Sequence, residues 1–162
     1  MPLDGPVQVG GLRIVIDDLS GDRIADFLAE HVREMRSMTP PESKHALDLE
    51  GLRRPEVTFW SVYDGEELVG CGALKALDAE HAELKSMRTA SGRTRRGVAS
   101  TLLTHILQQA GRRGFTRVSL ETGSAAFFAP ARALYAKHGF APCAPFGEYR
   151  EDPLSTYLTR TL

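Results

Sequence analysis

The chain holds only two cysteines in 162 residues, Cys71 and Cys143, far apart and without CxxC spacing. That spacing excludes a zinc ribbon and a disulfide scaffold, and no metal is expected. Each cysteine has apolar or small neighbours and reads as a small buried hydrophobe. No apolar run approaches the length of a membrane span. The start, MPLDGPVQVGG, lacks a basic segment followed by a hydrophobic stretch, so no leader peptide is expected. These gaps suit a cytoplasmic protein with no membrane partner. Net charge is also scarce, at −1, and marks no nucleic-acid-binding surface. Neither the Gly-Lys-Ser/Thr end of a P-loop nor a GxGxxG fingerprint occurs. Internal repeats and low-complexity segments are lacking too.

What remains is an ordinary globular composition, 42% hydrophobic and 25% charged. It fits one domain over residues 1–162, with residues 1–10 as a flexible tail. LRIVIDDL (Leu12 to Leu19) reads as a strand. Ile24, Phe27, Leu28, His31 and Met35 then fall on one helical face. MTPPES breaks that helix, because two prolines cannot continue it, and a short helix follows over His45 to Glu50. EVTFWSVYD and EELVGCGALKAL flank Asp64–Gly65 and predict a hairpin. HAELKSMRT is a further strand. Val98, Leu102, Leu103, Ile106, Leu107 and Ala110 form one helical stripe. FTRVSLET is a strand, Phe127 to His138 a helix with Pro130 in its first turn, and two short strands fall near Phe140 to Cys143 and Thr156 to Thr161. The fold class is therefore α/β (α+β), a mixed sheet of about seven strands with helices on both faces. Three strands in the middle should be antiparallel, and His81 to Thr122 should form a parallel crossover.

Between strand and helix lies RTRRGVAS, with Arg93, Thr94, Arg95, Arg96, Gly97, Val98, Ala99 and Ser100 in order. Free backbone N–H groups and the positive end of the helix dipole converge at such a point. Gly97 permits close backbone approach, and the arginines add charge for a polyphosphate. A plain solvated basic cap would look the same, and this segment alone leaves both readings open.

Four pieces, ELKSMRT, RTRRGVASTLL, VSLETG and ARALYAKHGF, occur in that order and at the spacing of a known family. The block from Glu83 to Phe140 resembles the GNAT family of acetyl-CoA-dependent N-acetyltransferases. More widely, PPESKHAL, PEVTFW and GCGALK resemble a small bacterial branch often labelled indole-3-acetic acid (IAA) acetyltransferase. The resemblance implies a single GNAT-like domain and acetyl-CoA as cosubstrate. It implies that the strand at Ser86, Met87, Arg88 and Thr89 pairs with pantetheine, and that the Arg93–Ser100 loop holds the pyrophosphate. Two positions depart from the family pattern. Thr94 stands where Gln or Arg is usual, and Phe128 where an Asn often precedes the tyrosine.

The implied chemistry needs a base, an acid and oxyanion donors. An amine with a pKa of about 10.4 must lose a proton before it attacks the thioester. The resemblance puts Glu83 in the place of the general base, with Glu121 and His45 as alternatives. Glu83 would equally serve as a carboxylate paired with Lys85 or Arg88. Tyr135, in LYAKHGF, falls where a general acid protonates the leaving thiolate; an aromatic packed in the core is the other role open to it. A backbone N–H of Ser86 to Arg88 would stabilise the oxyanion. Around the acceptor, the candidates are Glu42, His45, Glu121 and Tyr149, with Phe146 nearby. Carboxylates and aromatics suit a cationic amine on a small molecule or peptide. A non-catalytic acyl-CoA-binding or protein-interaction module is the alternative. An exposed C-terminal strand would allow a homodimer.

Overall fold

A computed structural model describes residues 5–38, 49–90 and 97–162; within the first helix it describes the side chains up to Glu30 and that of Arg33. Among the described residues, eight strands form one sheet in the order β1-β2-β3-β4-β5-β6-β8-β7. They are β1 (Val7–Val9), β2 (Leu12–Ile16), β3 (Val57–Asp64), β4 (Glu67–Ala76), β5 (His81–Thr89), β6 (Arg117–Gly123), β7 (Ala141–Pro142) and β8 (Ser155–Thr161). The helices are α1 (Asp22–Met38), α2 (Leu49–Leu52), α3 (Val98–Arg112) and α4 (Ala129–Lys137). The sheet is mixed, as the patterning predicts: β3, β4 and β5 are antiparallel neighbours, and β5 runs parallel to β6 across α3.

The strand count exceeds the expected seven because Val7–Val9, placed in the tail by sequence, pairs with β2. Gly10 and Gly11, at φ +54° and +85°, close this hairpin in two residues. Glycine takes positive φ without steric cost, so a Gly-Gly pair suits two successive such positions. The β3–β4 turn also falls one residue later than Asp64–Gly65 implies, since Asp64 pairs with Glu67 across Gly65 and Glu66. The helix expected from Phe127 begins as a 3-10 turn over Ala126–Phe128 and becomes α-helical at Ala129. Nor is the C-terminal strand the bare edge expected from sequence, because β8 lies between β6 and β7 and pairs with Ala141 and Pro142.

Two cores cover the two faces. On one, Val98, Leu102, Leu103 and Ile106 of α3 and Tyr135 of α4 pack on Trp60, Ala82, Leu84, Val118 and Leu120. On the other, Ile24 and Leu28 of α1 and Leu52 of α2 pack on Phe59, Cys71 and Ala73. Of the predicted α1 stripe, Ile24, Phe27 and Leu28 face this core; the side chains of His31 and Met35 lie outside the described set.

Two glycines on β4 let α3 approach the sheet. A Cβ on Gly72 would stand 2.5 Å from the Met87 sulfur, 3.1 Å from Ile106 and 3.3 Å from Leu102. One on Gly70 would stand 2.9 Å from the Val98 side chain. Larger residues would push α3 and the end of β5 off the sheet. Gly72→Val is expected to lower unfolding stability by about 1–3 kcal/mol, measured by urea denaturation. An unchanged midpoint would mean that α3 is not seated as described.

Candidate active site

The ladder between β5 and β6 joins His81, Ala82, Glu83 and Leu84 to Arg117, Val118, Ser119 and Leu120 and stops there. Both strands run on, β5 to Thr89 and β6 to Gly123, without further pairing to each other. The cause lies at Ser86, which takes a left-handed φ of +57° inside a strand. On the β4 side, Lys85 pairs with Ala73 and Arg88 with Cys71, so β5 holds one residue more than β4 across this interval. This is a β-bulge, which bends the strand and re-aims its side chains. Ala82 and Leu84 face α3, so by alternation Glu83 and Lys85 face the other way. Beyond the bulge the parity inverts. Met87 turns toward α3, and Arg88 toward α1, 5.3 Å over the Phe27 ring and 3.7 Å from Glu30. The Cys71 thiol donates to the Ser86 carbonyl at 3.3 Å, and burial pushes that thiol up to about 12.

On the α1–α2 face, Glu83 is 4% exposed, yet it is not alone. Lys85 Nζ lies 3.0 Å from its Oε2. The Tyr149 hydroxyl, from the loop between β7 and β8, donates to the same oxygen at 2.5 Å. Lys85 also donates to the Tyr149 oxygen at 3.2 Å. Glu83–Lys85 pairing is the ordinary role that the sequence allowed. The Tyr149 bond spans 66 positions, and no local signal could have announced it. Tyr149 packs on Phe146 and Tyr157, with ring centroids 5.2 and 5.6 Å away, and Phe146 also meets His81. A chain of hydrogen bonds, His81 to Ser119 to Thr159, continues under this loop and was not foreseen either. Burial, then the charge and the hydrogen bond of Glu83, drive the Tyr149 phenol far above the usual tyrosine range.

Tyr135 lies on the opposite face, 7% exposed, with its ring edge toward Phe140. Burial first, and Glu121 second, raise its phenol well above the free value. Glu121 thus acts on Tyr135, Tyr149 and Tyr157 together. Phe128 is buried over Gly123 at the end of β6, where any Cβ would overlap its ring. Gly97, at φ +82°, precedes α3 without a side-chain cap. Gly97 has no side chain with which to cap the first-turn backbone donors at Val98, Ala99 and Ser100. The Val98 side chain is buried, and Ser100 Oγ meets His138 Nε2 at 2.8 Å. Trp60 is a core residue, 1% exposed. Arg93, Thr94, Arg95, Arg96, Glu42 and His45 lie outside the described residues. Among the described residues, no group of His, Cys, Asp or Glu is placed to hold a metal ion, and no helix is long and apolar enough to cross a membrane.

The profile of the Acetyltransferase (GNAT) family matches residues 22–140. The chain belongs to the GNAT acetyltransferase family. It is 54% identical over 151 residues to the "Uncharacterized N-acetyltransferase YsnE" of Bacillus subtilis (strain 168), covering 93% of this chain and 100% of that one. It is 37% identical over 145 residues to the IAA acetyltransferase of Azospirillum brasilense, covering 87% and 92%. The fold is shared with a GNAT family acetyltransferase from Elizabethkingia anophelis with acetyl-CoA bound (TM-score 0.64, 17% identity, 95% and 100% coverage). The protein is an acyl-CoA-dependent N-acetyltransferase.

The raised phenols set an alkaline limit. An unfolded tyrosine ionises near pH 10, while Tyr135, Tyr149 and Tyr157 keep their protons higher in the folded state. The folded state then binds more protons than the unfolded one, so stability falls as pH rises past about 10. Chemical denaturation between neutral pH and about pH 11 should show this decline, with a shallower slope for Tyr149→Phe. A flat profile would contradict the burial of these hydroxyls.

Proposed function

We propose that the enzyme transfers an acetyl group directly from acetyl-CoA to a primary amine on a small molecule or a peptide N-terminus. The observation that carries this reading is the opening between β5 and β6, with Tyr135 packed on one face of the sheet and Glu83 on the other. A thioester laid in that opening meets a proton donor from one side and a carboxylate system from the other. The acetyl-CoA bound to the E. anophelis protein of the same fold supports acetyl-CoA as cosubstrate. Backbone groups of Ser86, Met87, Arg88 and Thr89 would pair with pantetheine. The N–H groups of Val98, Ala99 and Ser100 would hold the pyrophosphate, with Arg93, Thr94, Arg95 and Arg96 preceding them. Both cysteines are free, in keeping with a reducing cytoplasm.

The residues then divide the work. Glu83 draws a proton from the ammonium form of the acceptor, and the neutral amine attacks the carbonyl carbon. A strand N–H near Ser86 to Arg88 stabilises the oxyanion. The C–S bond breaks as Tyr135 gives its proton to the sulfur. The new amide nitrogen sheds one proton to solvent and Tyr135 takes one back from solvent, so the phenol ends neutral, as it began. The raised phenol keeps Tyr135 protonated at neutral pH, as an acid must be. Lys85 and Arg88 already face Glu83 and Glu30, so acceptor recognition is assigned to the aromatic loop, with Tyr149 and Phe146, and to Glu121. Glu42 and His45, outside the described residues, complete the assignment.

The IAA name of the Azospirillum relative raises a second acceptor, indole-3-acetic acid. Its ring nitrogen donates its lone pair to the aromatic system and is a very poor nucleophile. Acylating its carboxylate would give a labile anhydride. A primary amine needs only to lose a proton.

Free thiol release from acetyl-CoA, measured with phenethylamine, spermidine, phenylalanine, Ala-Ala-Ala and indole-3-acetic acid, tests the acceptor class. Turnover of an amine is expected. Turnover of indole-3-acetic acid alone would overturn the reading, and thioester binding without any turnover would favour a non-catalytic module. Gly97→Asp puts a negative charge where the pyrophosphate should sit, and calorimetry should show acetyl-CoA affinity down by about tenfold or more. Tyr135→Phe should leave that affinity within a few-fold and lower kcat by roughly ten- to a thousand-fold. An unchanged kcat, with chemistry limiting, would make Tyr135 structural only.

A further inference from the structure

We propose that Tyr149 is the proton relay between the acceptor amine and Glu83, an assignment that rests on Glu83 being the base. A base must reach the proton it removes. The Glu83 side chain is only 5% exposed, and the Lys85 side chain beside it only 9%. Tyr149 is half-buried, and its hydroxyl stands 2.5 Å from Glu83 Oε2. A phenol oxygen both accepts and donates, so it can take a proton on one side while releasing its own on the other. One O–H bond forms with the proton from the ammonium as the existing O–H bond breaks toward Glu83. Tyr149 ends neutral, Glu83 ends protonated, and the amine is freed to attack. Glu83 returns its proton to solvent by the same path once the product has left.

The surroundings favour this concerted exchange over a stable tyrosinate. Glu83 and Lys85 face Tyr149 from β5, Glu121 acts on it from β6, and Tyr157 packs on it from β8. Two carboxylates hold the phenol neutral. Lys85, 3.0 Å from Glu83 and 3.2 Å from the Tyr149 oxygen, pairs with the carboxylate and holds the hydroxyl in line. The aromatic packing with Phe146 and Tyr157 fixes the ring itself. This loop therefore supplies the conducting atom, as well as a wall for the acceptor.

The test compares pH profiles of kcat and KM for the wild type, Tyr149→Phe, Glu83→Gln and the double variant, using whichever of phenethylamine, spermidine, phenylalanine or Ala-Ala-Ala is turned over fastest. Tyr149→Phe should lower kcat by about ten- to a hundredfold near neutral pH, with the KM for acetyl-CoA within a few-fold. The loss should shrink at high pH, where the amine ionises without help. The double variant should fall no further than the worse single one, because the two residues share one proton path. Tyr149→3-fluorotyrosine keeps the packing while changing the phenol acidity, and should shift the pH profile. A loss of equal size at every pH, full additivity in the double variant or an unmoved fluorotyrosine profile would overturn the relay. Glu83→Gln would still lose rate in a pH-dependent way if Glu83 alone is the base. A Glu83→Gln loss independent of pH, or no turnover of any of the four amines, would instead remove the base assignment and the relay with it.

Discussion

The left-handed backbone at Ser86 is the constraint on which the site depends. A non-glycine residue at φ +57° within a strand costs about 1–3 kcal/mol and persists only where its surroundings hold it. Here the hold comes from both sides of the sheet. The Cys71 thiol donates to the Ser86 carbonyl, and Met87 is pressed between Gly72 and α3. One extra residue then has three consequences. The parallel ladder ends at Leu84, backbone groups beyond it face an opening, and every later β5 side chain changes face.

Polar burial follows from the same geometry. An ionised Glu83 deep under a loop would be very unfavourable alone, and it is tolerated because Lys85 and Tyr149 both meet one of its oxygens. Removing Lys85 would leave the Glu83 charge uncompensated, and removing the Tyr149 hydroxyl would take one hydrogen-bond donor from it. It also separates the two candidate proton-handling groups by the thickness of the sheet. Tyr135 belongs to the α3–α4 core, and Glu83 to the polar face beneath Phe146 and Tyr149. Glu121, at the end of β6, acts electrostatically on tyrosines of both groups.

The small residues of β4 complete the frame. VGCGA places Gly70 and Gly72 under α3, and Cys71 and Ala73 under α1 and α2. One strand thereby seats a helix closely on each side without pushing the bulge apart. Phe128 over Gly123 does the same at the end of β6, where the aromatic ring fills the space that a Cβ would need.

Much of this was legible in the chain itself. Apolar spacing in α3 and the strand and turn patterning of β3 to β6 determined the mixed sheet and the crossover, because periodicity and turn chemistry are local; the order of the four pieces carried the resemblance to the acetyltransferase family. Glu83 and Lys85 are two apart on a strand, so their pairing was readable as an alternative. The Gly10–Gly11 pair between Val9 and Leu12 is a local hairpin signal too, although it lies at the edge of the expected tail. Tertiary structure alone decided the rest. Nothing local marks Ser86 as left-handed, since its φ is imposed by packing against β4 and α3. Nothing local joins Tyr149 to Glu83, because that bond forms only when the β7–β8 loop folds over β5. Hydrophobic patterning reports which face of an element is buried, whereas a contact across 66 positions depends on how finished elements dock.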